Sequence, residues 1–518
     1  MKSYDSIEHF ARTTPDRLFV DSELGQATYA QTADRVNRLL NGFKALGLGR
    51  EDHVGVIARN RLEVVLLFCA SMKGGPIFVP INNRLAPAEM VWILENADCA
   101  ALFAEQPFIE MLAGKVPEAI PADRRFSFDG AEEGWLSFAE WEGAQSDKEV
   151  PNTSQDDEEL LQIYTSGTTG LPKGVMLTER NAQSFLYSLP STFDIIMDPG
   201  ERLYSGLPLF HIGGIIVVHM VALRGGTAVL RRDFNPVEVE EMMATGDICR
   251  AGMVPAMIQA CLMVGGDTKR DFSTMKSITY GASPIGSEVL KGAAARYDCD
   301  FGQVYGMSET YALSCGLTAA DHRRALSNEG AHLIAAAGKP AAGCRITIRD
   351  EDGNALPIGE TGEICIASDG VMKGYWKRPD ATAESIVNGE MRTGDAGRFD
   401  EEGYLYIVDR LKDIIVSGGE NVSSVEVEEV LMRHPAIAEA AVIGVPDEKW
   451  GEAIKAIIPT AAEIGDEEVI AYCREHLGGF KVPKSIDRVE ALPRNGTGKV
   501  LKVKLREPYW EGIERRVG

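Results

Sequence analysis

The sequence is poor in paired cysteines, in positive charge and in long apolar runs. Its nine cysteines are an odd number, and no two stand in a Cys-x-x-Cys arrangement. A disulfide scaffold and a cysteine-rich zinc site are therefore not expected, and a reducing compartment is. Lys and Arg number 53 against 77 Asp and Glu, a net charge of −24. Non-specific nucleic-acid binding leaves a basic footprint, so no nucleic-acid partner is expected. The same acidity repels anionic ligands at long range, and any phosphate site must be locally electropositive. The most apolar run, Ile212 to Leu223, spans 12 residues and contains a histidine, whereas a membrane-crossing helix needs roughly 20. The opening MKSYDSIEHF has no long apolar signal core, and the closing ERRVG carries no peroxisomal or prenylation signal. No transmembrane segment is expected, and the expected location is cytoplasmic. No repeat or low-complexity tract stands out.

What is present is a chain of 518 residues, 45% hydrophobic and 25% charged. That length exceeds one ordinary core and predicts several subdomains. Short apolar runs alternate with helical patterns. DHVGVIA, PIFVPIN and AALFA read as strands, separated by the helices RLEVVLLFCASMKGG and EMVWILENADC. Strand and helix in alternation predict a mainly parallel sheet with covered faces. Residues 142–160 are polar and turn-rich and read as a surface connection. IRDEDGNALPIGETGEICIAS places an Asp-Gly turn between strand-like flanks, a hairpin signal. After YLYIVDRLKD the pattern changes to a compact α+β unit.

The densest polar stretch is YTSGTTGLPKG, Tyr164 to Gly174, which holds three threonines, a serine, three glycines and a lysine. Glycines allow tight turns that aim successive backbone N–H groups at one point. Hydroxyls add donors and Lys173 adds charge, a set suited to a polyphosphate. The alternative is a plain surface loop. The spacing is not that of a Walker A loop, which needs Gly-x-x-x-x-Gly-Lys-Ser/Thr.

YTSGTTGLPKG resembles the signature loop of the acyl-adenylate-forming superfamily, which includes acyl-CoA synthetases, peptide-synthetase adenylation domains and luciferases. Further motifs of that family follow in order over almost the whole chain. The resemblance implies an α/β fold. A large N-terminal domain (1–410) of mainly parallel, helix-covered sheets plus a distorted β-barrel-like subdomain would precede a small mobile α+β C-terminal domain (411–518). ATP would be held by Thr165, Ser166, Gly167, Thr168, Thr169, Gly170 and Lys173 in the loop, and by Gly281, Ala282 and Ser283 of YGASP at the adenine. In VYGMSET, Tyr305 would stack on adenine beside Gly306, Thr310 would bond the α-phosphate, and Glu309 would hold Mg²⁺, a hard cation that takes carboxylate and phosphate oxygens. Asp395 of RTGDAG would grip the ribose diol. In VDRLKD, Arg410 would lie near ribose and phosphate, and Lys412 would be the pivot. Lys499 of LPRNGTGKV would be the catalytic lysine. His211 of PLFHIGG would gate the acyl site. Taken singly, several of these have plainer readings: a core histidine, a helix cap, a turn, a solvated charged stretch.

The implied reaction joins a carboxylic acid to coenzyme A in two steps, through an acyl-AMP. The C-terminal domain would swing between them, presenting first Lys499 and then the SGGEN segment. Gly418 and Gly419 would leave room for a pantetheine arm, and Trp450 would either wall that tunnel or pack as an ordinary aromatic. The acyl pocket would be lined by His211, Ile212, the segment Gly252 to Ile258, Ala282, Gly306 and Tyr311. No lysine or arginine stands among them, which disfavours a second carboxylate on the acid. Glycine at 306, where acetate-specific relatives carry tryptophan, favours a medium- or long-chain or bulky monocarboxylate. The wording around several motifs is closest to bacterial fatty-acid and crotonobetaine/carnitine-type ligases, and aryl acids stay open. So do an adenylation module, a luciferase and a non-catalytic nucleotide sensor; acid-dependent ATP–pyrophosphate exchange separates the sensor from the rest. The oligomeric state is open, with a homodimer among the options.

Overall fold

The computed structural model describes residues 1–165, 172–193, 197–266, 270–327, 330–417, 420–447, 449–462, 464–494 and 499–511, with only the backbone of Asn421. The chain forms two compact units, 1–346 with 366–391 and 347–365 with 392–518. The expected boundary at 410/411 falls inside the second of them.

The first unit is built on two large sheets. In the eight-stranded sheet, His53–Ile57 runs parallel to both Ile77–Pro80 and Cys99–Ala104, and Ile77–Pro80 runs parallel to Glu159–Thr165. The connecting helix Leu62–Met72 is buried at every position except Glu63. That explains its mainly apolar sequence: a helix covered on nearly all sides needs no polar face. Gly74 ends it at φ +103°, a backbone state that costs glycine nothing. The nine-stranded sheet repeats the plan. Leu18–Ser22, Thr227–Leu230, Arg202–Ser205, Arg250–Met253, Ser277–Gly281 and Asp300–Tyr305 lie parallel in that spatial order, with antiparallel strands at both edges. Parallel α/β sheets bind ligands beyond the carboxyl ends of their strands. YGASP and VYGMSET sit at such ends here, directly after Ser277–Gly281 and Asp300–Tyr305.

A buried charge knot joins two more of these ends. Glu105, at the end of Cys99–Ala104 and 0% exposed, receives both guanidinium nitrogens of Arg232 at 2.9 and 3.1 Å. Arg232 follows Thr227–Leu230 in the other sheet. A third, curled sheet of Arg345–Arg349, Gly362–Ala367, Ile386–Val387, Glu390–Phe399 and Leu405–Arg410 supplies the barrel-like element.

The polar connection 142–160 is more firmly fastened than its composition predicts. Glu142 is buried and takes two 2.6 Å bonds from Arg35. Asn41 donates to the carbonyls of Ser146 and Lys148, and Asn37 accepts from the Val150 N–H. Helix Tyr29–Ala45 supplies these three side chains, a long-range pairing that local composition does not encode. At the end of the connection, burial pushes the Glu159 carboxyl up to about 8, with Lys373 opposing, and its Oε1 has no partner among the described residues. A carboxyl raised in the folded state costs nothing below its unfolded value, and stability is lost as pH climbs toward the folded value. Glu159→Gln is therefore expected to leave stability unchanged at pH 4 and to raise it by a few kcal/mol at pH 8, at about 1.4 kcal/mol per unit. Urea unfolding at the two pH values measures this, and equal effects at both would refute it.

In the second unit, Gly451–Pro459 pairs antiparallel with Ala441–Asp447 and Ile415–Ser417, and parallel with Ser485–Val489. Alternate residues serve two cores. Val442, Ile454, Ala456 and Ile458 face a cluster with Val427, Leu431 and Val469, while Ala441, Ile443, Ala453 and Ile457 face one with Leu492. The two-residue period of a strand makes this division. The Asp-Gly turn closes as expected, with Gly353 at φ +83° and its N–H on the Asp350 carbonyl.

Candidate active site

The threonine-rich loop joins two antiparallel strands. Glu159–Thr165 pairs with Lys173–Thr178, and Thr165 stands opposite Lys173. A Walker A loop leads from strand to helix; this one leads from strand to strand. Ser166, Gly167, Thr168, Thr169 and Gly170 lie outside the described residues. The base of the hairpin is braced from below. The Tyr164 hydroxyl donates to Asn96 Oδ1 at 2.7 Å and receives Gln162 Nε2 at 3.0 Å, while Gln162 Oε1 bonds His53. The Trp376 indole donates to the Asn96 carbonyl. Burial lowers the His53 pKa, so the ring is neutral at physiological pH.

Glu309 and Thr310 lie in a single 3₁₀ turn, Ser308–Thr310. The Thr310 side chain, 1% exposed, closes this turn by bonding the Met307 carbonyl and N–H, and it accepts the Ser314 hydroxyl at 2.8 Å. The residues that follow are held in left-handed conformations, Tyr311 at φ +51° and Ala312 at φ +70°, and Ala282 in YGASP stands at +70°. Such backbone costs of order 1–3 kcal/mol per residue and gathers at functional sites. Gly306 meets a different demand. A Cβ there would stand 2.0 Å from the Ala312 carbonyl oxygen, so in this backbone glycine answers to a close main-chain approach. Gly281 is alike, with the Val304 carbonyl 2.5 Å from its Cβ position.

Glu309 is 7% exposed, and its Oε1 accepts the Tyr375 hydroxyl at 2.9 Å. Lys173 Nζ lies 4.8 Å from the centre of the Tyr375 ring. Burial and the Glu309 charge push the Tyr375 hydroxyl well up, so it remains a donor. Among the described residues no cluster of three or more His, Cys, Asp or Glu is arranged for a metal. A single carboxylate suits Mg²⁺, which commonly binds one or two carboxylates together with substrate phosphates.

Tyr305 is partly buried, and behind it a second network supports the YGASP turn. The Tyr280 hydroxyl lies 2.8 Å from His322 Nε2 and 3.2 Å from Gln303 Oε1, while His322 Nδ1 meets the Thr318 carbonyl. That carbonyl can only accept, so Nδ1 carries a proton. Ser283 is exposed at the turn itself.

Of the expected acyl-pocket residues, His211 caps the amino end of the apolar helix Ile212–Arg224 by position, without a side-chain cap bond, and Ile212 is buried. Tyr311 is 1% exposed and is bonded through its hydroxyl to His219 Nε2 at 2.7 Å. Burial pushes His219 down to about 3, so the pair is neutral. Its place in an aromatic shell with Phe68 and Phe185 makes Tyr311 a packed residue as much as a lining one.

In the second unit, Asp395 and Arg410 face each other across the antiparallel pair, with Nε to Oδ1 at 2.7 Å. Burial lowers the Lys412 pKa, aided by Arg410 and Arg506. Lys499 is exposed, one residue before the bridge that pairs Val500 with Arg494. Trp450 is 40% exposed, with Lys449 4.7 Å from its ring centre, so it is not an ordinary core aromatic. Gly418 and Gly419 lie outside the described residues. Sequence reasoning missed Tyr375, His219 and Lys502. Tyr375 belongs to a two-residue strand, Gly374–Tyr375, too short to show periodicity; the bare Gly-Tyr-Trp triplet was the only signal.

The family model of AMP-binding enzymes matches residues 7–376, and that of the AMP-binding enzyme C-terminal domain matches 426–499. A fatty acid–acyl-carrier-protein ligase of Streptomyces coeruleorubidus is 36% identical over 495 residues, covering 95% of this chain and 93% of that one. A long-chain-fatty-acid–CoA ligase of Mycobacterium tuberculosis is 36% identical over 484 residues, 93% of each. The structure of o-succinylbenzoate CoA synthetase from Bacillus subtilis with its acyl-adenylate superposes with a TM-score of 0.84 at 29% identity, over 98% of both chains. No helix among the described residues is long and apolar enough to cross a membrane. The chain belongs to the AMP-binding enzyme family and is an acid–thiol ligase of the acyl-adenylate-forming superfamily.

Proposed function

We propose that the chain is a carboxylate–CoA ligase acting in two half-reactions at one site. In the first, a carboxylate oxygen of the acid attacks the α-phosphorus of ATP and pyrophosphate leaves. In the second, the thiol of coenzyme A attacks the acyl carbonyl and AMP leaves. The observation that carries this reading is that Lys173, at the base of the threonine-rich loop, and Glu309, of the turn after Asp300–Tyr305, meet on one side chain, Tyr375. A cationic group and a carboxylate gathered on one tyrosine suit a phosphate chain and its counter-ion.

The first half-reaction brings an anion to an anion. Lys173 and the loop donors bind and orient the phosphates, and positioning of this kind supplies much of the rate without a protein nucleophile. Glu309 would hold Mg²⁺, which when bound offsets phosphate charge. Ala282 and Gly281 frame the adenine, with Tyr305 stacked on it. Asp395 takes the ribose hydroxyls, which requires it to share or exchange its bond to Arg410. Lys499 places its ammonium on the charge that develops at the α-phosphate. The body carrying Lys499 begins near Lys412, and its turn about that residue withdraws the lysine and brings Gly418 and Gly419 toward the thiol.

The acid is a medium- or long-chain or bulky monocarboxylate. The similarity to two ligases of fatty acids supports that choice, and similarity to a feruloyl-CoA synthase of an Amycolatopsis, at 34% identity, supports an aryl acid as the second reading. The deciding experiment is ATP–pyrophosphate exchange with a panel of fatty, aryl and betaine acids, followed by thioester assay with coenzyme A and with a pantetheinylated carrier protein. Exchange is expected only when a monocarboxylic acid is present, and CoA is expected to be the better acceptor. Exchange without any acid, or with none of them, would end the ligase reading; a faster carrier protein would end the CoA assignment.

A further inference from the structure

We propose that Tyr375 is a positioning residue of the adenylation site, keeping the Glu309 carboxylate and the Lys173 ammonium in a fixed relation. This rests on the reading of Glu309 and Lys173 given above and adds a residue that no motif named.

Three residues far apart in sequence, 173, 309 and 375, meet through two different faces of one side chain. The hydroxyl edge of Tyr375 donates to Glu309 Oε1 at 2.9 Å, and the ring face lies 4.8 Å from Lys173 Nζ. Tyr375 is 6% exposed and Glu309 7%, so the hydrogen bond between them is shielded from water. The backbone around Tyr375 is tied to the same two elements. Tyr375 pairs with Val175 and Gly374 with Met176 on the outgoing strand of the hairpin. The Trp376 N–H donates to the Gly174 carbonyl at 2.8 Å, and the Met372 N–H donates to the carbonyl of Glu309 itself at 2.8 Å. The segment 372–376 thus connects the hairpin base to the Glu309 turn by main chain and by side chain alike.

The two contacts have distinct consequences. A hydrogen bond from a neutral donor to a carboxylate is short, directional and roughly twice as strong as a neutral pair. It fixes the plane of the carboxylate group. A ring face attracts an ammonium, and it does so without neutralising it, whereas a carboxylate partner would. Lys173 is thereby steered while its charge stays available for phosphate. An aromatic residue without a hydroxyl keeps the second effect and loses the first, which makes the two separable.

The test is Tyr375→Phe in the full chain, which retains the ring, the packing and the Lys173 contact. Mn²⁺ is the probe, and its binding in the presence of a non-hydrolysable ATP analogue is read by electron paramagnetic resonance. A hydrogen bond to a charged group is worth about 1.5–3 kcal/mol, so Mn²⁺ affinity is expected to fall about tenfold or more. The Mg²⁺ concentration giving half-maximal pyrophosphate exchange is expected to rise by the same factor, with a smaller change in the plateau. A residue that only filled space would lower the plateau and the thermal midpoint together and leave the metal requirement alone. The same substitution is made on Glu309→Gln, where no further fall in Mn²⁺ affinity is expected because the acceptor's charge has gone. Unchanged Mn²⁺ affinity in Tyr375→Phe, or an equal drop in both backgrounds, overturns the assignment. Wild-type exchange is the control: its absence would defeat the ligase reading, whereas its presence with unaltered Mn²⁺ binding in the variant defeats only the role given to Tyr375.

Discussion

Lys499→Ala is expected to lower acyl-adenylate formation by about 10²–10³-fold, the usual cost of removing one preorganised charge-stabilising donor, while thioester formation from supplied acyl-adenylate stays within a few-fold of wild type. The reason lies in the charges. Only the first half-reaction sets a carboxylate against a polyphosphate, so only there does an ammonium at the α-phosphate stabilise the transition state more than the ground state. In the account proposed above, the segment after Lys412 carries that ammonium. Lys499 stands three residues before helix Lys502–Trp510. From that helix Arg506 donates to the Lys412 carbonyl at 2.9 Å and pairs with Asp413. Lys412 is thus tied to the helix that follows Lys499, and in the proposed account a turn of the backbone at Lys412 moves Lys499 with it. Single-turnover measurement of each half-reaction decides the matter. Equal losses in the two steps would mean that Lys499 serves both, and the swinging-domain account would fail.

The second large effect concerns stability. Lys502→Met is expected to destabilise the second unit by about 3–5 kcal/mol, because removing one partner of a buried ion pair leaves the other charge uncompensated. Lys502 Nζ lies 2.7 Å from Glu428 Oε1, both side chains being 13% exposed, and donates to Ser424 Oγ at 2.6 Å. Ser424 donates in turn to Asp409 through its N–H and hydroxyl. Burial works to lower the Lys502 pKa, but Glu428 and Asp409 outweigh it and hold the group above the ordinary lysine value. A raised lysine stabilises below its unfolded pKa and loses that contribution only as pH rises through the folded one, so the loss in the variant should be fully visible at pH 7. The double variant Lys502→Met, Glu428→Gln removes the stranded charge and keeps an acceptor for the Val442 N–H; it is expected to regain most of the deficit. Calorimetric unfolding measures both. A double variant no more stable than the single one would show that the pair is not the origin of the effect.

Much of the architecture was legible from local pattern. The buried strands DHVGVIA, PIFVPIN and AALFA and the mainly apolar helix between the first two are set by burial on both faces, and that burial writes itself directly into composition. The alternating strands Ala441–Asp447 and Gly451–Pro459 were legible for the complementary reason, since one face of each serves each core. The motif glycines were legible as special positions but not as to every cause: the sequence reads Gly306 as the open floor of a pocket, and the structure adds the Ala312 carbonyl oxygen 2.0 Å from where its Cβ would stand. The polar run 142–160 looked free because its partners, Arg35, Asn37, Arg38 and Asn41, lie more than a hundred residues away.

The amino-acid sequence by itself determined the family, the order of the motifs and the chemical types gathered for a phosphate chain, since these depend on which residues occupy positions a few apart on one loop or turn. Only the tertiary structure decided which distant side chains hold those motifs in place: Tyr375 between Glu309 and Lys173, His219 behind Tyr311, and Lys502 and Arg506 on the segment around Lys412. The physical reason is that a strand period or a glycine-rich turn is a local property of the chain. A hydrogen bond between residues 66 or 94 positions apart exists only once the backbone has brought them within three ångströms.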